Sequence, residues 1–401
     1  MTQAYDAIVV GARCAGSPTA MLLARRGHRV LVVDRATFPS DTTSTHLIHP
    51  PGVASLERWR LLDAVIGTGT PPIDTYAFDF GPFSISGAPG TDATPVAYAP
   101  RRTVLDKVLV DAAAAAGVEV RERFTVESLV EENGHIVGIR GHSKGGETVT
   151  EFARVVVGAD GRYSLVADAT DAQEYSETPQ LQVSYYTYWS GLPMGGRFET
   201  ALRPGLGYAA WPTSDDLTLV IAGRTIGEFD AVRSDIEATY LETLEIAPAF
   251  AERVRGAKRE ERFVGTAVRG YFRKPFGPGW ALVGDAGYNK DFITAQGIQD
   301  AFRDAELCAT ALDDALSGRD SFENALGEYQ VRRDEQVLPM YEFTAELAAL
   351  EPPPPEREQL LSAASRSQQA MDSFARVAAG VTSPAEFFSD ENAERILAAA
   401  A

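Results

Sequence analysis

The chain has 401 residues, 45% of them hydrophobic and 23% charged, which is the balance of a folded protein with a sizeable core rather than a disordered one. Its 56 acidic side chains outnumber 37 basic ones, and the formal charge of -19 repels phosphate backbones and excludes nucleic acid as an expected partner. Two cysteines, Cys14 and Cys308, cannot build a disulfide framework. The chain runs straight into a strand with no basic-then-apolar leader, and no apolar run reaches the ~18 residues that span a bilayer, so a cytoplasmic protein without a membrane anchor is expected.

The first predicted unit lies in IVVGARCAGSPTAMLLARRGHRVLVVD, residues 8 to 34. A short apolar run, a glycine loop, an amphipathic stretch stopping at Gly27 and a second apolar run ending at Asp34 make one strand–helix–strand unit. Dinucleotide-binding loops use glycine first for a tight turn, second for close approach to phosphates and third for helix packing. Here Gly11 and Gly16 fill the first and third places and Arg13 the second, with Cys14 and Ala15 between. An arginine there either points away from the phosphates or wraps round to bind them. A carboxylate at Asp34 suits two ribose hydroxyls and repels a 2'-phosphate, so FAD or NAD fits better than NADP.

Next come a polar loop, FPSDTTSTHLIHPPG, and a helical stretch, VASLERWRLLDAV. Tyr76, Phe78 and Phe80 then alternate with small or polar residues as on a strand, YAPRRTVLDKVLVDAAAAAG returns to helix, and residues 118 to 161 read as several strands with turns at ENG and KGG. From 178 to about 269 alternation predicts an antiparallel sheet. Tyr185 and Trp189 share one strand face there, while Tyr186 and Tyr188 share the other. A buried strand, WALVGDAG, precedes a long helix from Gln296, and the chain from Glu323 is mostly helical, broken by EPPPPE at 351 to 356.

Three separated segments then fit one purpose. The fingerprint, VVVGADGRYS with Asp160 and Gly161, and WALVGDAGYNKDFITAQGIQDAF with Asp285, together with RRTVLD, resemble flavoprotein monooxygenases of the p-hydroxybenzoate hydroxylase type and the related geranylgeranyl reductase-like flavoproteins. The resemblance covers roughly the first 330 residues. It implies an α/β fold: a Rossmann-like FAD-binding domain (1–72, 100–175 and 270–330) interleaved with an antiparallel β-sheet substrate domain (73–99 and 176–269), plus a helical C-terminal extension (331–401).

The same resemblance implies that Gly11, Arg13, Cys14, Ala15 and Gly16 turn under the FAD pyrophosphate, that Asp34 and Arg35 lie at the adenosine, and that Arg102 lies near the pyrophosphate. Asp160 and Gly161 shape a supporting turn, Asp285 holds the ribityl chain, and Gln296, Gly297 and Ile298 present backbone N–H groups to the flavin. A helix N-terminus favours the negative charge that reduced flavin carries. Ala167 stands where relatives commonly have arginine, and NKDFIT replaces a proline-rich stretch. There is no second strand–glycine-loop–helix unit, so NAD(P)H is expected as a transient electron donor visiting a surface groove.

His46, in the loop that borders the flavin in the resembling families, is the candidate catalytic residue. His46 and His49 lack the company a zinc site has, so no metal is expected. Tyr185, Trp189 and Trp211 are candidates for the substrate pocket. The implied reaction is oxygenation of a small aromatic or polyketide-like molecule by O2 through a flavin C4a-hydroperoxide. The alternative is a reductase or dehydrogenase acting on a C=C or C–C bond. The W-x-W-x-I-P stretch of flavin-dependent halogenases is missing. Monomer and homodimer are not distinguished.

Overall fold

The apolar runs Tyr5–Val10 and Val30–Val33 are hidden on both faces, as central parallel strands demand. Residues 5–400 are described in a computed structural model, in which these runs form the middle of a mixed sheet. Its order is Phe276–Gly277, Trp280–Leu282, Thr148–Gly158, Tyr5–Val10, Val30–Val33 and Glu119–Arg121, parallel except at the Phe276–Gly277 edge. Successive strand residues face opposite ways. Ala7 and Val9 therefore pack with residues of the helices Gly16–Arg25, Arg102–Ala115 and Gly297–Leu316, while Ile8 and Val10 meet Phe124, Ile136 and Ile139 of a long hairpin on the other face.

A second sheet runs Lys258–Arg259, Gln182–Ser190, Thr218–Thr225, Leu206–Pro212, Arg197–Arg203, Thr75–Asp79 and Ser84–Gly87. Every pairing is antiparallel except that between Arg197–Arg203 and Thr75–Asp79. The fold is thus α/β, with a parallel-centred sheet and a separate, mostly antiparallel one. One correction concerns residues 226–255, expected within the sheet region. They form the helices Phe229–Ser234, Ile236–Leu244 and Pro248–Arg255, whose Tyr240, Leu244 and Phe250 cover the outer face of the second sheet.

The inner face of that sheet is closed by the end of the chain. After the helix Phe322–Ala348 the prolines at 352–354 break the run, and four further helices follow: Pro355–Ala364, Gln368–Ala378, Pro384–Phe387 and Asp390–Ala400. Phe374, Phe387 and Ile396 join Tyr76, Phe78, Tyr186, Phe198 and Trp211 in one apolar cluster. The helix Gln368–Ala378 lies so close to the strand Ser84–Gly87 that a Cβ on Gly87 would fall 2.5 Å from the Met371 carbonyl oxygen.

Phe387 is 1% exposed and packs against Phe374 and Phe388 at ring separations of 5.6 and 5.0 Å. Phe387→Ala is expected to cost about 3–5 kcal/mol of unfolding free energy, read as a lowered urea midpoint.

Candidate functional site

The glycine loop is built as its sequence demands. Gly11 has φ +103°, and a Cβ there would lie 2.4 Å from the Ala159 carbonyl oxygen; one on Gly16 would lie 1.8 Å from that of Gly11. The loop is thereby pressed against the turn after Thr148–Gly158. Arg13 does not wait for a ligand: its guanidinium donates to Asp106 at 2.5 Å and to the Ser40 hydroxyl at 3.0 Å. Asp106 is 0% exposed and also takes Arg102 Nε at 2.9 Å and the Cys14 thiol at 3.5 Å. Burial pushes the Cys14 thiol well up, so it is an inert, packed group. Asp106, the last residue of RRTVLD, is the hub that ties the loop to the helix Arg102–Ala115.

Asp34 accepts from the backbone N–H groups of Ala12 and Ala36, both at 2.8 Å, and Arg35 is exposed. Each Asp34 oxygen has a second lone pair for another donor. Asp160 accepts from the Ser164 hydroxyl at 2.5 Å and from Val166 N–H at 3.3 Å, bracing the start of the helix Leu165–Ala169. Gly161, at φ +81°, turns the chain beside it.

Gly284, at φ +59°, would bring a Cβ within 2.9 Å of Ala15 Cβ, so the Asp285 turn abuts the glycine loop. The Asp285 side chain is open to solvent yet walled by protein. That enclosure raises its pKa to about 6 against the pull of Arg102. Gln296 precedes the helix Gly297–Leu316, with its side chain tied to Ala378 O at 3.2 Å and to Gln299 at 3.1 Å. Ile298 is buried, whereas Gly297 is exposed and a Cβ on it would meet nothing within 4 Å. A helix N-terminus with free donors, a bare glycine, an accessible carboxylate and a glycine loop are a donor set that fits a dinucleotide carrying both phosphate and ring.

Next to the start of the helix Gly297–Leu316, at Thr294 and Ala378, lies an apolar cavity of about 900 Å³ including its mouth. Phe78, Phe198, Trp211, Phe292, Phe343 and Phe374 supply most of its aromatic wall, and no side chain lining it carries a formal charge at neutral pH. Trp211 thus faces the cavity. Tyr185 and Trp189 do not: the pleat turns them to the outer face of the sheet, where Trp189 Nε1 donates to Tyr240 OH at 3.2 Å. Sequence reading missed the walls from Phe343 and Phe374, because helices distant in the chain carry no local mark of what they cover.

The two histidines of THLIHPP go to different tyrosines. His46 has φ +63° and is 0% exposed; its Nε2 is hydrogen-bonded to Tyr188 OH and its Nδ1 is buried without a partner. Burial, then Arg102 and Arg101, hold it neutral, well below 6.5. His49 lines the cavity and bridges Tyr76 OH at 2.6 Å and the Thr294 carbonyl at 3.0 Å; burial lowers it to about 4. Below them Lys290 pairs with Asp300, which Arg303 also holds at 2.9 Å. Among the described residues no group of three or more His, Cys, Asp or Glu is arranged for a metal, and no helix is long and apolar enough to cross a membrane.

Asp291 is 8% exposed, and burial raises its pKa to about 6 even though Ile293 N–H and Gln182 donate to it. A carboxyl whose folded pKa exceeds its unfolded value stabilises the fold below about pH 4 and loses that contribution as pH rises through about 6. Wild type is therefore expected to lose on the order of 2–3 kcal/mol relative to Asp291→Asn between about pH 4 and about pH 7. Denaturant unfolding of the two proteins across that range measures it.

The family model described as FAD binding domain matches residues 4–186. Curated relatives include Protein FixC of Salmonella typhimurium, 28% identical over 82% of both chains. Digeranylgeranylglycerophospholipid reductase 1 of Methanopyrus kandleri is 26% identical over 87% of this chain and 91% of its own. The 6-methylpretetramide 4-monooxygenase of Streptomyces rimosus is 26% identical over 82% and 80%. Among solved structures, the myxobacterial chondrochloren halogenase CndH superposes with a TM-score of 0.79 at 24% identity over 99% of this chain and 97% of its own, a likeness of fold. Residues 4–186 thus match an FAD-binding domain, and most of the chain is similar both to a reductase and to a monooxygenase and shares its fold with an FAD-dependent halogenase.

Proposed function

We propose that the protein is an NAD(P)H-dependent FAD monooxygenase that hydroxylates or epoxidises a neutral aromatic or polyketide-like small molecule. The observation that carries this reading is the uncharged aromatic cavity lined by Thr294 and Ala378 next to the start of the helix Gly297–Leu316. In this reading the first sheet and its helices hold FAD, the second sheet holds substrate, and the C-terminal helices close the cavity. When bound, FAD supplies the redox chemistry: NAD(P)H provides two electrons, and O2 gives one oxygen atom to substrate and one to water.

The chain's own residues then bind, orient and exclude water. Arg102, fixed by Asp106, would hold the pyrophosphate, and Asp34 the adenosine ribose. Arg13 acts through Asp106 and Ser40 in positioning the loop. The first N–H groups of Gly297–Leu316 would stabilise negative charge on a bound reduced ring. His46, its ring fixed by Tyr188 through Nε2, is the candidate catalytic side chain. The phenyl and indole walls keep water from the reacting carbon.

A second reading has its own support: the likeness to the Methanopyrus kandleri reductase spans 87% of this chain, and an uncharged cavity suits an isoprenoid as well as a ring. In that case substrate would be reduced at a C=C bond without O2. Oxygen-electrode traces separate the two. A monooxygenase consumes one O2 per NAD(P)H in a substrate-dependent manner and releases an oxygenated product, whereas a reductase forms product anaerobically. His46→Ala is expected to lower turnover at least 100-fold with FAD retained, as judged by absorbance of the desalted protein; unchanged turnover would remove His46 from the mechanism.

A further inference from the structure

Several polar side chains lining the cavity have their hydrogens already used. His49 Nε2 faces a carbonyl, so it must carry the proton; its Nδ1 therefore accepts from Tyr76 O–H. Trp211 Nε1 donates to Thr45 O at 3.1 Å, Thr200 to Tyr208 O at 2.7 Å, and Thr294 pairs with Thr344, which itself donates to Met340 O. These groups offer a ligand little to accept from.

One corner differs. Gln182 must turn its amide nitrogen to Asp291, because a carboxylate only accepts; that bond is 2.6 Å and fixes Oε1 in the opposite direction. Oε1 receives the Ser184 hydroxyl hydrogen at 3.2 Å, which leaves the Ser184 oxygen as an acceptor. Both residues line the cavity, and both are at most 3% exposed. The facing strand position is Gly223, where a Cβ would fall 2.3 Å from Ser184 Oγ and 2.7 Å from Gln182 Oε1. Only a bare glycine leaves these two oxygens their place. Behind them, Asp291 Oδ2 is buried without a partner, so the row Asp291–Gln182–Ser184 ends in unused acceptor capacity at both ends.

We propose that Ser184 Oγ and Gln182 Oε1 form a hydrogen-bond-accepting subsite that selects, within an otherwise apolar cavity, ligands bearing a phenol or alcohol O–H. This rests on the reading of the cavity as the substrate site and narrows its substrate class to hydroxylated rings. An ether of the same shape fills the cavity but gives these oxygens no hydrogen, and their desolvation is then uncompensated.

The test is calorimetric titration of the FAD-loaded protein with 2-naphthol and with 2-methoxynaphthalene, in the absence of NAD(P)H. The expected result is about tenfold tighter binding of 2-naphthol, with the preference falling toward one in Ser184→Ala, which keeps the shape of the pair, and in Gln182→Met. Equal affinities in wild type, a failure of 2-naphthol to bind, or a preference that survives both substitutions overturns the proposal. Binding is read without turnover, so oxygenation with no hydroxyl preference would sink the subsite alone, and a hydroxyl preference with no oxygen consumption would sink the oxygenase reading alone.

Discussion

A carboxylate with no exposure to water holds the candidate cofactor groove together. Asp106 accepts from two arginines and a thiol that come from different parts of the chain, Arg13 and Cys14 in the glycine loop and Arg102 at the start of its own helix. Removing such a group from water costs several kcal/mol, recovered only when strong donors surround it, and breaking one side of the set leaves charge stranded. The loop, the helix Arg102–Ala115 and Ser40 are thereby locked to one another. The arginine that replaces the usual middle glycine is accommodated by this lock, since its guanidinium leaves the loop sideways.

The rest of the molecule is arranged around that groove and the apolar cavity. The first sheet ends its strands at the glycine loop, the Asp160 turn and the Asp285 turn, so residues far apart in sequence arrive at one edge. The second sheet turns Phe198 and Trp211 inward, and the final helices add Phe343 and Phe374. Between the two regions runs the His46–His49 loop, each imidazole held neutral by burial and anchored to a tyrosine of the second sheet.

Much of this was legible because its physics is local. Tight turns require glycine at Gly11, buried strands are continuous apolar runs, and the acid at Asp34 follows its strand at fixed spacing. The pleat gave the opposite faces of Tyr186 and Tyr185, yet nothing local tells which face borders the cavity, and Tyr185 and Trp189 lie on the face away from it. The helices between 229 and 255 were hidden inside a region whose neighbours alternate. The Asp106 hub and the Gln182–Asp291 bond were invisible, since both join residues about a hundred positions apart.

The central claim is that Asp106 organises the groove that grips FAD. Fluorescence titration of apoprotein with FAD, comparing wild type with Asp106→Ala, tests it most directly. With folding confirmed by circular dichroism, the account predicts at least a tenfold weaker FAD affinity in the variant. Equal affinity in a folded variant would contradict it.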